Sequence, residues 1–406
     1  MTRVVAVIDG EHYAPVVRDA LDELPYEVVA ALLVGGREKL KGGEEYGVPL
    51  VPTLERAVAE HAPELVFDLS DEPVLSPRRR LELASRALAL GVSYAGPGFR
   101  LDPPEYEPFA WPSVAVIGTG KRVGKTAVTG HLARLLARDR DVVVVSMGRG
   151  GPPEPEVIET PPALSDLLAL ARSGRHAASD HLETAVYAGV VTIGCRRCGA
   201  GLAGEIGPSN LLAGAALAAA REPDVVVFDG SGAAVPPVAV DARVLVADGR
   251  QDVSDGLNPY RVLVSDLVLL TGGEAALRER VEAISDVPVV RVSLRLRPSG
   301  PLGGRRAAVF TTGPAPVDHL DADVVHVSRN LADRGALGEE LARVDADVYV
   351  VELKAAAIDV VAEAALERGV EVVLAENELV PVDGEPDLDA ALLSLVRSSV
   401  GEPVTP

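Results

Sequence analysis

Lysine is scarce in this chain: only Lys39, Lys41, Lys121, Lys125 and Lys354 appear, and arginine supplies the rest of the 39 basic residues. Phenylalanine and tryptophan are nearly as thin, at five and one. Acidic residues number 60, so the net charge is -21, and the continuous basic stripe that a nucleic-acid backbone requires is missing. No nucleic-acid partner is expected. No apolar run approaches the roughly 18 residues that would span a bilayer, and no basic stretch precedes the short apolar run at the N-terminus. A cytoplasmic protein with no membrane partner is the expectation. Two cysteines cannot make the disulfide framework of a small secreted domain. They stand together as Gly194-Cys-Arg-Arg-Cys-Gly199, half of a zinc site. A metal there needs a second copy of the chain, or His176 and His181 folded nearby; a redox pair and a purely structural turn stay open beside it.

What is present is organised around one stretch. Val114-Ala-Val-Ile-Gly-Thr-Gly-Lys-Arg-Val-Gly-Lys-Thr126 runs an apolar strand into a glycine-rich turn and then a helical segment. Glycines let successive backbone N–H groups curl around one phosphate, and the following helix adds the positive end of its dipole. Gly118, Gly120, Arg122, Gly124, Lys125 and Thr126 are therefore the candidate nucleotide-binding residues. Lys125 reaches the terminal phosphates and the Thr126 hydroxyl takes a place on Mg²⁺. The usual spacing puts the first glycine at position 119, where this chain has Thr119 flanked by Gly118 and Gly120. Two of the five lysines, Lys121 and Lys125, lie in this one loop. Downstream, Asp224-Val-Val-Val-Phe-Asp-Gly-Ser-Gly232 is a buried-type strand that delivers Asp229 to the same sheet edge, where an acid holds the water shell of Mg²⁺. Thr271-Gly-Gly-Glu274 occupies the place where a guanine-reading motif would lie, so ATP is preferred over GTP.

Strands alternating with helical stretches along the whole chain predict an α/β fold with parallel sheets. A proline-rich segment, Asp102–Pro108, and a second segment, Arg297–Gly304, mark linkers. The expected domains are an N-terminal α/β unit over 1–108, an ATP-binding P-loop NTPase domain with a mostly parallel sheet over 111–298, and a C-terminal α/β unit over 305–395, both flanking units Rossmann-like. The tail from Val396 is expected to be loose. In the N-terminal unit, Asp9, Glu11, His12 and Asp68–Glu72 fall beyond strand ends, where ligands sit on such sheets. Arg78, Arg79 and Arg80 open a helix, as a solvated face or an anion contact. Arg149, presented on a glycine turn after a strand, suits a phosphate contact. Arg196 and Arg197 form a polar island between glycines. With Lys121, Lys125 and Arg149 they are the candidate catalytic cations; Arg149, His176, His181, Arg196, Arg197 and Lys354 are the candidate substrate contacts, and Thr126 and Asp229 the candidate metal ligands. An ATP- and Mg²⁺-dependent phosphoryl-transfer enzyme acting on a small anionic, phosphorylated partner follows, with a homodimer as the expected assembly.

The loop Gly118–Thr126 resembles the Gly-Thr-x-x-x-Val-Gly-Lys-Thr loop of dethiobiotin synthetase and its P-loop relatives. More of the chain resembles a second family. Ser146-Met-Gly-Arg-Gly-Gly-Pro-Pro-Glu-Pro-Glu156, His176-Ala-Ala-Ser-Asp-His181, Gly194–Gly199 and Val351-Glu-Leu-Lys-Ala-Ala-Ala357 are similar to cyclic 2,3-diphosphoglycerate synthetase. That resemblance implies ATP plus 2,3-diphosphoglycerate giving the cyclic anhydride, ADP and phosphate. A kinase that makes 2,3-diphosphoglycerate from 2-phosphoglycerate, and a switch ATPase or metal-insertion factor with Cys195 and Cys198 carrying metal, are the alternatives.

Overall fold

In the computed structural model, which describes residues 1–42, 45–174, 179–272, 275–313, 315–353 and 358–399, the strand–helix alternation predicted from the sequence is realised in two sheets. The N-terminal part comprises β1 (Arg3–Ile8), α1 (Ala14–Glu23), β2 (Glu27–Leu33), β3 (Leu50–Val51), α2 (Leu54–His61), β4 (Leu65–Asp68), α3 (Pro77–Ala89), β5 (Ser93–Gly96) and β6 (Phe99–Leu101). Its sheet runs β3-β2-β1-β4-β5-β6, parallel except for β6. The expected ligand edge is closed on itself. Asp9 accepts from the amides of Glu11 and Asp71 and meets Nδ1 of His12 at 2.9 Å, while Asp68 accepts from Ser70, Arg80 and the Tyr94 hydroxyl. Of the three helix-opening arginines, Arg80 turns inward to Asp68 at 2.6 Å and Arg78 reaches across to Asp252 at 3.1 Å.

The central part continues through β7 (Ser113–Gly118), α4 (Lys125–Leu136), β8 (Val142–Gly148), β9 (Glu156–Ile158), α5 (Leu164–Arg172), α6 (Asp180–Ala188), β10 (Val191–Arg196), α7 (Leu211–Ala219), β11 (Val225–Asp229), β12 (Ala242–Ala247), α8 (Asn258–Leu263), β13 (Leu267–Thr271), α9 (Ala275–Glu282) and β14 (Val289–Pro298). The C-terminal part adds β15 (Arg306–Phe310), β16 (Asp323–Ser328), α10 (Arg334–Leu341), β17 (Val348–Glu352), α11 (Ile358–Arg368), β18 (Glu371–Pro381) and α12 (Leu388–Ser399).

β7 sits in mid-sheet between β11 and β12 and is buried along its whole length. Successive residues face opposite sides of a strand. Accordingly Ala115 and Ile117 enter one core with Met147, Ile193 and Phe228, while Val114 and Val116 enter the other with Val128, Leu132 and Val144. Each of the larger side chains, from valine up, contributes about 1.5–3 kcal/mol on burial. The phosphate-binding turn is thus carried on a central strand packed on both faces.

The second linker is not a break in the sheet. β14 runs on to Pro298 and pairs antiparallel with β18, so twelve strands among the described residues form one continuous sheet from β16 to β9. The expected loose tail is corrected at its start, where α12 runs to Ser399 and lies on the P-loop core with Leu388, Leu392 and Val396 buried beside Leu132 and Leu136; residues 400–406 lie outside the described ones. Apolar residues at helical spacing, 388, 392 and 396, give it that docking face.

Candidate active site

Gly118 ends β7, and the turn through Val123 delivers Gly124, whose φ of 101° is the left-handed region that favours glycine, as the N-cap of α4. A Cβ on Gly118 would stand 3.0 Å from Nζ of Lys125, so a bare backbone there is what lets the lysine fold back over the loop. Lys125 is 8% exposed, and its ammonium donates to the Gly120 carbonyl at 2.6 Å. From outside, the Thr271 hydroxyl donates to Val123 O at 2.5 Å and the Arg250 guanidinium to Arg122 O. Neither brace is itself a lining residue of the cavity next to the turn.

That cavity has a volume of about 340 Å³. Lys121, Arg122, Lys125 and Thr126 line it from the turn, Arg149 from the end of β8, and Asp229 to Gly232 from the end of β11. Two guanidinium groups close on one point, with the stem of Lys121 beside them: a Cβ at Gly232 would stand 3.4 Å from Nη2 of Arg197, 3.9 Å from Nη2 of Arg149 and 4.0 Å from Cγ of Lys121. Arg197 is held from behind, donating to Ser231 O at 2.7 Å and Gly199 O at 2.9 Å, and burial together with the like charge of Arg149 lowers its pKa. Asp229 lies opposite. Its carboxylate accepts from the Thr129 hydroxyl at 3.0 Å, and burial, then the nearby charge of Asp180, pushes its pKa up to about 7 against the pull of Lys125. The buried Asp229 carboxylate and Thr126, which line the same cavity, supply the hard oxygen donors that suit Mg²⁺. Among the described residues no three His, Cys, Asp or Glu side chains converge as a closed metal cage. This fits an ion that keeps most of its waters and takes phosphate oxygens.

Family models for the N-terminal, P-loop and C-terminal domains of cyclic 2,3-diphosphoglycerate synthetase match residues 3–102, 113–294 and 298–378. The chain belongs to that family. Proteins called cyclic 2,3-diphosphoglycerate synthetase from Rubrobacter xylanophilus and Thermococcus kodakarensis are 47% and 42% identical to it, over 98% of this chain and 98% and 99% of theirs. The one from Methanothermobacter thermautotrophicus is 36% identical over 98% of this chain and 97% of its own. All three bear the cyclising name, not that of a kinase or a metal-insertion factor. Apo-form LpxK from Aquifex aeolicus, solved in complex with ATP, superposes at a TM-score of 0.44 with 15% identity over 72% of this chain and 90% of its own, too loose a likeness to argue from.

Within this synthetase-family chain the two adjacent arginines part company. Neither is among the residues that line the cavity, but Arg197 is buried and donates to Ser231 in its wall, whereas Arg196 is exposed at the end of β10 and, among the described residues, hydrogen-bonds through its backbone to Asn210 and Ser209. Neighbouring residues of extended chain face opposite ways, so the pair cannot serve one cavity together. His181 also lies elsewhere: its ring packs on Gly194 and its Nε2 stands 3.5 Å from Glu156. His176 and Lys354 lie outside the described residues. The cysteines separate by the same alternation. Cys195 is buried against Gly214 and its thiol is pushed up to about 12 by burial, while Cys198 is exposed. They are neither bonded to each other nor gathered with other ligands among the described residues.

Seven cavity residues went unnoticed in the sequence as site candidates: Asp180, Glu183, Gly230, Ser231, Gly232, Thr312 and Ala332. Asp180 and Glu183, one helical turn apart on α6, carried a usable signal, since i and i+3 share a face. Thr312 carried none. It follows β15 in the C-terminal part, where Glu352 accepts from its amide at 2.9 Å and its hydroxyl at 3.0 Å while Asn377 donates to the same carboxylate at 2.6 Å.

Proposed function

We propose that this chain is an ATP- and Mg²⁺-dependent synthetase that closes 2,3-diphosphoglycerate into its cyclic anhydride, releasing ADP and phosphate. The gathering of Lys121, Arg122, Lys125 and Arg149 with Thr126 around one cavity, and of the Arg197 guanidinium behind its Gly232 wall, carries the reading. Two phosphates and a nucleotide's terminal phosphate must be pressed together, and each unit-charge repulsion at 4 Å is about 4 kcal/mol at an effective dielectric near 20. One cation does not offset that; a set of them does. No strong base is needed, because phosphate oxygens are already ionised near neutral pH.

In this reading an oxygen of one substrate phosphate attacks the γ-phosphorus in line, the bond to ADP breaks, and the substrate carries a diphosphate. An oxygen of the neighbouring phosphate then attacks the inner phosphorus, inorganic phosphate leaves, and the P–O–P ring closes. Lys125 follows the migrating phosphoryl charge, Lys121 and Arg149 hold the substrate phosphates, and Arg197 fixes the Ser231–Gly232 backbone beneath them. Thr126 and Asp229 would hold Mg²⁺, which when bound neutralises the β- and γ-phosphate charge. Thr312 closes the cavity from the C-terminal part. A homodimer and a cytoplasmic setting belong to the same proposal. Among the described residues no helix is long and apolar enough to cross a membrane.

Phosphorus NMR of the complete reaction tests this. Loss of both monoester resonances, with ADP and phosphate formed in equal amounts, is the expected result. Retained monoester signals, or ATP turnover indifferent to added diphosphoglycerate, would refute it.

A further inference from the structure

Arg261, on the short helix α8, is 3% exposed. Every hydrogen-bond acceptor it has among the described residues is neutral. Its Nε and Nη2 donate to the Ala233 carbonyl at 3.0 and 2.7 Å, Nη2 also to Leu202 O at 3.3 Å, and Nη1 to Leu257 O at 3.2 Å and Asn258 Oδ1 at 3.3 Å. Burial lowers its pKa to about 10, which leaves it charged near neutral pH. A buried cation with no counter-charge is costly to keep, and apolar residues of similar volume commonly replace one without loss of stability. Its use is therefore to be sought in what it holds.

What it holds is the wall of the P-loop cavity. Gly230, Ser231 and Gly232 line that cavity, and Ala233 follows directly. Two buried arginines from different elements join the same two loops here. Arg197 links Gly199 O to Ser231 O, at 2.9 and 2.7 Å, and Arg261 links Leu202 O to Ala233 O. Gly232, with a φ of 63°, lies between the two anchored carbonyls. Gly204 keeps the approach open, since a Cβ there would stand 2.9 Å from Ala233 O. A planar guanidinium can span two carbonyls in a fixed geometry, which a compact ammonium cannot.

The far end of this brace lies in the N-terminal part. α8 packs on α3, and Leu257 and Tyr260 are buried with Val66, Ala84 and Tyr94 in a core that also takes in Ala203, beside Leu202. Arg261 thus stands where the N-terminal core meets the cavity wall. We propose that Arg261 is a positioning residue of the synthetase site, through which the N-terminal part holds Ala233, and with it the Gly232 wall, in place opposite the P-loop turn. The inference rests on the synthetase reading for the reaction it serves. Reacting groups held about 1 Å out of place can lose on the order of 100-fold in rate, so a residue that touches no substrate can still govern turnover.

The test uses the full chain as wild type, Arg261→Met, which removes the guanidinium but keeps an unbranched side chain, and Arg261→Lys, which keeps the charge but not the fork. Hydrogen–deuterium exchange reads the wall without reference to any reaction, because Ala234 N–H donates to Ser231 O at 3.0 Å and Val235 N–H to Gly204 O at 2.8 Å. The methionine variant should exchange these amides about 5-fold faster or more, the scale of one lost hydrogen bond. Its kcat with ATP and 2,3-diphosphoglycerate should fall about 10- to 100-fold, while its affinity for a non-hydrolysable ATP analogue stays at the wild-type value. Lysine should fall between the two on both readouts. Unchanged exchange or unchanged kcat in the methionine variant overturns the proposal, and so does full rescue by lysine, which would leave charge alone as the cause. Loss of analogue binding in both variants would mark a general collapse and overturn it as well. A wild type that forms no cyclic anhydride refutes the synthetase reading instead, and exchange at Ala234 and Val235 still decides whether Arg261 holds the wall.

Discussion

The ammonium of Lys125 and the carbonyl of Gly120 are joined at 2.6 Å across the mouth of the phosphate-binding turn. A nucleotide entering this loop must exchange that neutral acceptor for an anionic one, a stronger partner for an ammonium. Lys125→Ala should therefore lower kcat by at least about 100-fold, the scale for losing one preorganised charge-stabilising donor. A single-turnover assay with radiolabelled ATP measures it.

The arginines separate into working and idle. Arg149→Ala, by removing a charged contact, and Arg197→Ala, by releasing the Ser231 backbone it holds, should each raise KM for the phosphorylated substrate about 10-fold or more, since a hydrogen bond to a charged group contributes ~1.5–3 kcal/mol. Arg196→Ala should stay near wild type, because its side chain is exposed away from the cavity. Steady-state kinetics on the three variants decide it. An Arg196 effect equal to that of Arg197 would count against the cavity described.

Asp229 opposes stability and function to each other. Its pKa is raised from 3.8 to about 7, chiefly by burial, so the folded chain holds that proton more tightly than the unfolded one does. Stability of the nucleotide-free protein must then fall as pH rises from about 4 to 7 through this group, and stay low above. Asp229→Asn should accordingly raise the melting temperature at pH 8, a gain on the order of 2 kcal/mol, change little at pH 4, and lose ATP turnover. Differential scanning fluorimetry at the two pH values, with turnover measured alongside, is sufficient.

Alkylation should find one cysteine. Cys198 is exposed, whereas burial keeps the Cys195 thiol protonated up to about 12. Only the thiolate is the nucleophile. Iodoacetamide at pH 8 should give a single adduct at Cys198 by peptide mass mapping, with Cys195 reacting only after denaturation.

The phosphate-binding turn and the strand delivering Asp229 were legible because each is a local device: an apolar run, then residues whose chemistry has few other uses. The arginine pair was half legible. Position and charge pointed to a site, but which of Arg196 and Arg197 faces it depends on the phase of extended chain leaving β10. Thr312 was illegible, since nothing near it in sequence betrays that the carboxyl end of β15 meets a turn nearly two hundred residues earlier.

By itself, then, the order of residues determined the strand–turn–helix at 113–136 and the acid at 229, because hydrophobic period, glycine and a pair of lysines act over a few bonds. Only the tertiary structure decided which cations converge on Gly232, that Cys195 belongs to the core, and that α12 returns to cover the P-loop sheet. Those outcomes depend on which face of each strand meets which neighbour, and on a continuous sheet that carries the C-terminal part back to the nucleotide turn. No local stretch of sequence contains that information.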